Sequence, residues 1–196
     1  MSSLFDFISS SIVFGVLVLT VARVQLNINS TMYQNQYNVI TQTNAVELAR
    51  KIESDFSKIG YHVNGQHILF ADSSSIRFCA DLENNSTVTE VRYIAGDTRE
   101  AQVTVNPRDF PLYRGVGETS VKQNFGLTSF SLSYFDSSYC SIPTPVISAA
   151  ALARIRSIRI AFMVESSEPV YTKYDTTWAS VSWEKMILPR NLKNLR

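Results

Sequence analysis

The chain has 196 residues, 45% of them hydrophobic and 18% charged, with a formal net charge of +1. That is enough for one domain with a buried core plus an appendage, and the near-neutral balance removes the electrostatic case for nucleic-acid binding. Frequent Tyr and Phe beside abundant Ser, Thr and Asn suit antiparallel sheet better than a helical bundle.

From Leu4 to Ile59 there is no proline, and the only glycine is Gly15. This predicts one long helix of about 80 Å at 1.5 Å per residue, too long for a globule of this size, so a large part of it must project. Its front, Phe7 to Ala22, is apolar and uncharged. As a helix that run covers about 24 Å, short of the ~30 Å hydrocarbon core, unless Leu4, Phe5 and Val24 to Leu26 are drawn in, with Asp6 and Arg23 at the interfaces. A cleaved secretory signal is the competing reading, since Thr20-Val21-Ala22 is a tolerable cleavage site. Against it, the segment ahead of the apolar run has no Lys or Arg and carries Asp6. An uncleaved membrane helix is therefore expected, with an orientation that the sparse positive charge does not fix.

Val24 to Tyr37 is rich in Asn and Gln and is expected to continue the helix, locally loosened. From Ala45 the pattern is regular: Ala45, Leu48, Ala49, Ile52, Phe56 and Ile59 recur at steps of three and four. Glu47, Arg50, Lys51, Ser54, Asp55 and Lys58 fill the other face. Gly60 is placed to end the helix in the left-handed conformation. The chain thus divides into an apolar segment (1–26), an amphipathic continuation (27–60) and a β-rich headpiece (61–196).

Beyond Gly60 the period changes to two. Strands are expected at Ile68–Phe70, at Ser75–Asp81 with Ile76, Phe78 and Ala80 inward, and at Thr87–Ile94, the last two joined as a hairpin through Leu82–Ser86. Gly96–Gln102 reads as a loop. Val103–Arg114 contains two prolines, so a strand there lies at an edge or is interrupted. Thr128–Phe135 and Ser157–Val164 alternate clearly, with Phe130, Leu132 and Tyr134, and Ile158, Ile160, Phe162 and Val164, inward. Between them Ser137–Thr144 is a loop, and Thr144 and Pro145 resemble the cap and first residue of a short helix running to about Arg154. A polar loop to about Asp175, a strand within Thr177–Leu188 and a basic tail bearing Arg190, Lys193 and Arg196 close the chain. One long helix laid on a mostly antiparallel sheet is an α+β arrangement.

Little in the chain points to catalysis or a cofactor. His62 and His67 with Asp72 match no established metal spacing. No G-x-S-x-G elbow accompanies the serines. Asp81 to Asn85 lacks the glycine and terminal glutamate of a calcium loop, and Gly115 and Gly117 are not followed by a phosphate-binding helix start. Cys79 and Cys140 leave two outcomes open: one disulfide, if the headpiece lies outside the cytoplasm, or two separate buried thiols.

Several stretches, in order, resemble the type IV pilin-like superfamily, and within it the minor pilins of the PilW type and the J-type minor pseudopilins of type II secretion. They are LARKIESDFSKIGY (Leu48–Tyr61), SIRFCADL (Ser75–Leu82), VRYI (Val91–Ile94), LYRG (Leu112–Gly115), FSLSYFD (Phe130–Asp136), ARIRSIRIAFMV (Ala153–Val164) and WEKMILPRNL (Trp183–Leu192). The family's precursors carry a basic leader ending in glycine, then an aromatic residue or methionine, and a glutamate as fifth mature residue. This sequence departs from that pattern; with Met1 removed, Asp6 stands fifth and Phe5 precedes it. The resemblance implies that Asp6 takes the place of that glutamate, which pairs with the terminal amine of a neighbouring subunit.

The resulting expectation is a non-enzymatic structural subunit without cofactor or metal. It is anchored in the inner membrane with an extracytoplasmic headpiece, and it packs against related subunits through Asp6, Phe5 and the stripe Ile12, Val16 and Leu19. The alternative is a membrane-anchored binding module, with ligand loops at Gly96–Gly117 or Ser137–Thr144 and the helix only a tether.

Overall fold

A computed structural model describes residues 2–101, 104–171 and 176–192. Residues 172–175 of the expected polar loop, Gln102, Val103, and Lys193 and Arg196 of the basic tail lie outside the described residues.

The first element, α1, runs unbroken from Ser2 to Ser57, so the Asn- and Gln-rich stretch is not loosened. Its last turn tightens, with Lys58 and Ile59 donating to the carbonyls of Asp55 and Phe56, three residues back. Gly60 follows at φ 76°, and its N–H donates to the Cys79 carbonyl at 3.0 Å. A side chain at Gly60 would press on the His67 ring. The helix therefore stops two residues earlier than the periodicity suggests and hands the chain directly to the sheet.

The sheet contains β1 (Ile68–Ala71), β2 (Ser75–Ala80), β3 (Thr89–Ala95), β4 (Phe110–Val116), β5 (Thr119–Phe135), β6 (Ser141–Ile142), β7 (Ser157–Glu165) and β10 (Ser180–Ile187). All pairings are antiparallel, in the order β1-β2-β3-β4-β5-β7-β10, with β6 added to β5. A separate small hairpin joins β8 (Val170–Tyr171) to β9 (Thr176–Thr177).

Two features of this sheet depart from the periodicity reading. First, β4 is an interior strand between β3 and β5, not an edge. Pro111 fits because the β4–β5 register breaks between Phe110 and Leu112, and its carbonyl still accepts from the Gly96 N–H at 2.8 Å. Second, β5 is twice as long as expected. Residues Thr119 to Leu127 pair with β4, and Leu127 to Phe135 pair with β7. Gly126, at φ 75°, marks the change, and the register with β7 slips between Leu127 and Ser129. A β-carbon there would collide with the Glu165 carbonyl oxygen. The bend lets the β1–β2 turn reach the far half of β5, where Leu132 N–H donates to the Ser73 carbonyl at 2.8 Å and the Tyr134 hydroxyl to the Asp72 carbonyl at 2.9 Å.

The helix expected from Thr144 shrinks to one turn, α2 (Ala149–Leu152), capped by Ser148, whose Oγ accepts from the Ala151 N–H. Upstream, the Thr144–Pro145 peptide is cis and Val146 is drawn into the sheet edge, donating to the Ala71 carbonyl at 2.7 Å. Backbone claimed by the sheet cannot open a helix.

The core lies between the rear of α1 and one face of the sheet. Leu48, Ile52 and Phe56 from the helix and Ile59 from the turn that ends it are fully buried, as are Ile76, Phe78, Val91, Tyr93, Leu112, Leu127, Ile158 and Ile160 from the strands. Phe56 is the keystone, edge-on to Phe78 and Tyr93 at 5.5 and 5.4 Å between ring centres. Phe56→Ala should cost about 3–5 kcal/mol, read as a lowered denaturant midpoint of the full chain in detergent. An unchanged midpoint would show that the helix does not seat there.

Candidate assembly surface

Every residue of α1 from Ser3 to Tyr33 is exposed, a bare length of about 46 Å. It includes an 18-residue window of mean hydropathy 2.1, long and apolar enough to cross a membrane. Phe5, Ile12, Val16 and Leu19 are 70%, 62%, 59% and 66% exposed. At 100° per residue these four fall within an arc of roughly 60°, with Arg23 closing the same stripe, while Asp6 points roughly 100° away from Phe5. The structure thus gathers four of the five predicted residues on one face and sets Asp6 to its side. Apolar side chains continue around the whole circumference, with Phe14 and Leu17 equally bare.

Two hydroxyls in this segment are satisfied within the helix. Ser11 Oγ donates to the Phe7 carbonyl at 2.9 Å and Thr20 Oγ1 to the Val16 carbonyl at 2.7 Å, the arrangement that makes Ser and Thr tolerable in hydrocarbon. Gly15 was not singled out by the periodicity. Nothing lies within 4 Å of where its β-carbon would be, so no contact among the described residues accounts for a residue that weakens a helix interior by roughly 1 kcal/mol relative to Ala.

Where α1 enters the headpiece, polar contacts fix its direction. Tyr37 donates to Glu168 Oε2 at 2.7 Å, and Glu168 and Tyr37 help line a groove of about 310 Å³ beside β8. That hydrogen bond, with burial, raises the Tyr37 hydroxyl above its usual range. Deeper in, Asp55 is buried, although the helical pattern assigned it to the solvent face. Its Oδ2 accepts from the Tyr93 hydroxyl at 2.6 Å and from Arg114 Nε at 2.7 Å. Burial and the adjacent Asp55 charge push the Tyr93 hydroxyl far up. For Arg114, burial opposes the charge but the bond to Asp55 outweighs it. The contact ties α1 to β3 and β4 through one carboxylate. The arginine two residues before Val116 was the signal for it, unreadable without knowing that β4 runs inside the sheet.

The other sequence candidates are dispersed. His62 Nδ1 lies 2.9 Å from Asp81 Oδ2. Burial opposes ionisation of Asp81, yet His62 and the N–H groups of Asn85 and Ser86 hold its carboxyl below the usual range, which makes Asp81 the organiser of the hairpin turn. His67 and Asp72 do not join it, and no group of three or more His, Cys, Asp or Glu side chains suited to a metal occurs among the described residues. Gly117, at φ 58°, is simply the β4–β5 turn. Cys79 is half-buried on β2, its thiol raised by burial and by Glu90, while Cys140 is exposed after β5; both are free thiols. The stretch Gly96–Gly117, expected as a ligand loop, contributes a 3₁₀ turn and β4, and Ser137–Thr144 contributes β6.

No protein-family model matches the chain, and no curated protein is similar to it in sequence.

Removing the carboxylate that joins α1 to the sheet should be felt throughout the headpiece. Asp55→Ala should lower stability by about 3 kcal/mol, at the lower end for a broken buried pair because Arg114 keeps some access to water. Asp55→Asn should cost less, since it keeps an acceptor for Tyr93. Equal losses for the two variants, in parallel unfolding curves, would contradict this.

Proposed function

We propose that this protein is a pilin-like structural subunit. Its front helix half packs, within or leaving a membrane, against the helices of related subunits, while the headpiece is displayed on the extracytoplasmic side. The observation that carries the reading is the division of a single helix. Its rear is sealed into the headpiece core, and its front presents apolar side chains on all sides that nothing among the described residues covers. A mere tether needs an apolar span. It does not need that span to be continuous with the rigid spine of a folded domain, nor a bare Gly15, which suits close helix–helix approach. An exposed Asp6 at the mouth of the apolar run is costly beside hydrocarbon and calls for a cationic partner, the role that the resemblance of the headpiece to minor pilins and minor pseudopilins gives it. Within such an assembly the stripe Phe5, Ile12, Val16 and Leu19 faces a neighbour.

Asp6→Ala tests this in cells that make the protein with its partner subunits. The variant should accumulate in the membrane with an unchanged headpiece, judged by protease resistance, while its recovery with partner subunits falls at least tenfold. Undiminished co-assembly would sink the role given to Asp6. Loss of membrane association alone would favour a simple tether.

A further inference from the structure

A cavity of about 100 Å³ lies where α1 enters the headpiece, against the bend of β5. Thr41, Asn44, Thr104, Asp109, Asn124 and Glu165 are among the residues that line it. Two unrelated elements turn unpartnered oxygens into it. Thr41, on the helix, is 1% exposed and its hydroxyl has no hydrogen-bond partner among the described residues. The hydroxyls of Ser11, Thr20, Thr31 and Thr43 on the same helix all donate to the carbonyl four residues back, so Thr41 departs from the local rule. Asp109, just ahead of β4, is 0% exposed, and neither carboxylate oxygen has a partner within hydrogen-bond geometry among the described residues. Burial pushes its carboxyl up, a shift that the nearby Thr104 hydroxyl, itself donating to the Ala101 carbonyl, partly offsets.

Glu165 lies beside it, 5% exposed, but is already engaged by Arg108 at 2.7 Å and by Asn106 Nδ2 at 2.9 Å. With both carboxylates ionised, the two acids and one guanidinium would leave one uncompensated negative charge, which burial and the neighbouring Glu165 disfavour at Asp109. A buried carboxylate left in that state costs several kcal/mol unless it is neutralised. Asn44 uses its NH₂ on the Phe125 carbonyl at 3.4 Å, which leaves its amide oxygen for a ligand. The available donors are oxygens, with no imidazole or thiolate among the lining residues. That is the donor chemistry of a hard cation, and the volume admits an ion with part of its water shell.

We propose that this cavity binds a hard divalent cation of the calcium type, with Asp109 as its anionic ligand and Thr41 as the ligand from the helix. The ion would tie α1 to the segment before β4 and stiffen the junction between helix and headpiece. This assignment does not depend on the assembly role.

The test uses the full chain in detergent, stripped with chelator, with calcium titrated at constant ionic strength. Thermal unfolding and terbium luminescence sensitised by Tyr37, which also lines the cavity, provide two readouts. The wild type should gain a saturable rise in unfolding temperature, with a Kd of about 10⁻⁴ to 10⁻³ M, the range of weak calcium modules, and calcium should displace terbium. Asp109→Asn should bind at least tenfold more weakly while its chelator-stripped unfolding temperature equals or exceeds that of the wild type, and Thr41→Val should bind more weakly with its fold retained. Absence of a calcium response in the wild type, or a response of equal affinity in Asp109→Asn, would overturn the site. So would unchanged affinity in Thr41→Val, which also serves if Asp109→Asn does not fold. A wild type stabilised by acid and indifferent to calcium would make Asp109 a buried protonated acid instead.

Discussion

The burial of one stripe of α1 against the sheet is the constraint on which everything else rests. Leu48, Ile52, Phe56 and Ile59 are completely withdrawn from water. At roughly 1.5–3 kcal/mol each, their burial is worth on the order of 10 kcal/mol, comparable to the whole net stability of a domain. The rear of the helix therefore cannot leave the sheet without unfolding the headpiece. The front half continues the same helix, with no proline and no break between Ser2 and Ser57.

Polar groups at the seam refine what apolar burial fixes. Asp55 joins the helix to Arg114 and Tyr93 on two interior strands, and Tyr37 reaches Glu168 at the point of exit. Lys185 Nζ, 2.7 Å from Glu53 on the solvent side, is exposed enough that it adds little. Within the bare segment the hydroxyls of Ser11 and Thr20 bond back to the helix, which makes those two groups tolerable in an apolar setting.

Much of this was legible in the sequence, because periodicity reports burial directly. The six-residue stripe from Ala45 to Ile59 is buried in full, and Ile76, Phe78, Ala80, Phe130, Leu132, Tyr134, Ile158, Ile160, Phe162 and Val164 face inward as their alternation implies. The misreadings have a common source in long-range pairing. The two prolines of Val103–Arg114 left an edge strand or an interrupted one open, and it is the interruption, a slip in register at Pro111, that accommodates the strand inside the sheet. The first half of β5 is largely exposed and shows little apolar alternation, so only its pairing with β4 makes it a strand. Thr144 and Pro145 carry the local chemistry of a helix start, yet Val146 is claimed by β1. Asp55 fits a solvent face on helical counting and is buried only because Arg114, distant in sequence, comes to meet it. The length and apolar character of the front helix were readable, whereas the isolation of Gly15 and the buried oxygens of Thr41 and Asp109 required coordinates.

The central claim is that the front of α1 is a surface for other helices and not merely a span. Placing a photo-cross-linking residue at Val16, on the bare stripe, and separately at Glu47, on the solvent face of the headpiece-bound half, tests it in intact membranes. The account predicts cross-links from position 16 to a discrete partner subunit or a second copy, and none to a helix partner from position 47. Labelling of lipid alone at position 16, in a protein whose headpiece is folded, would contradict it.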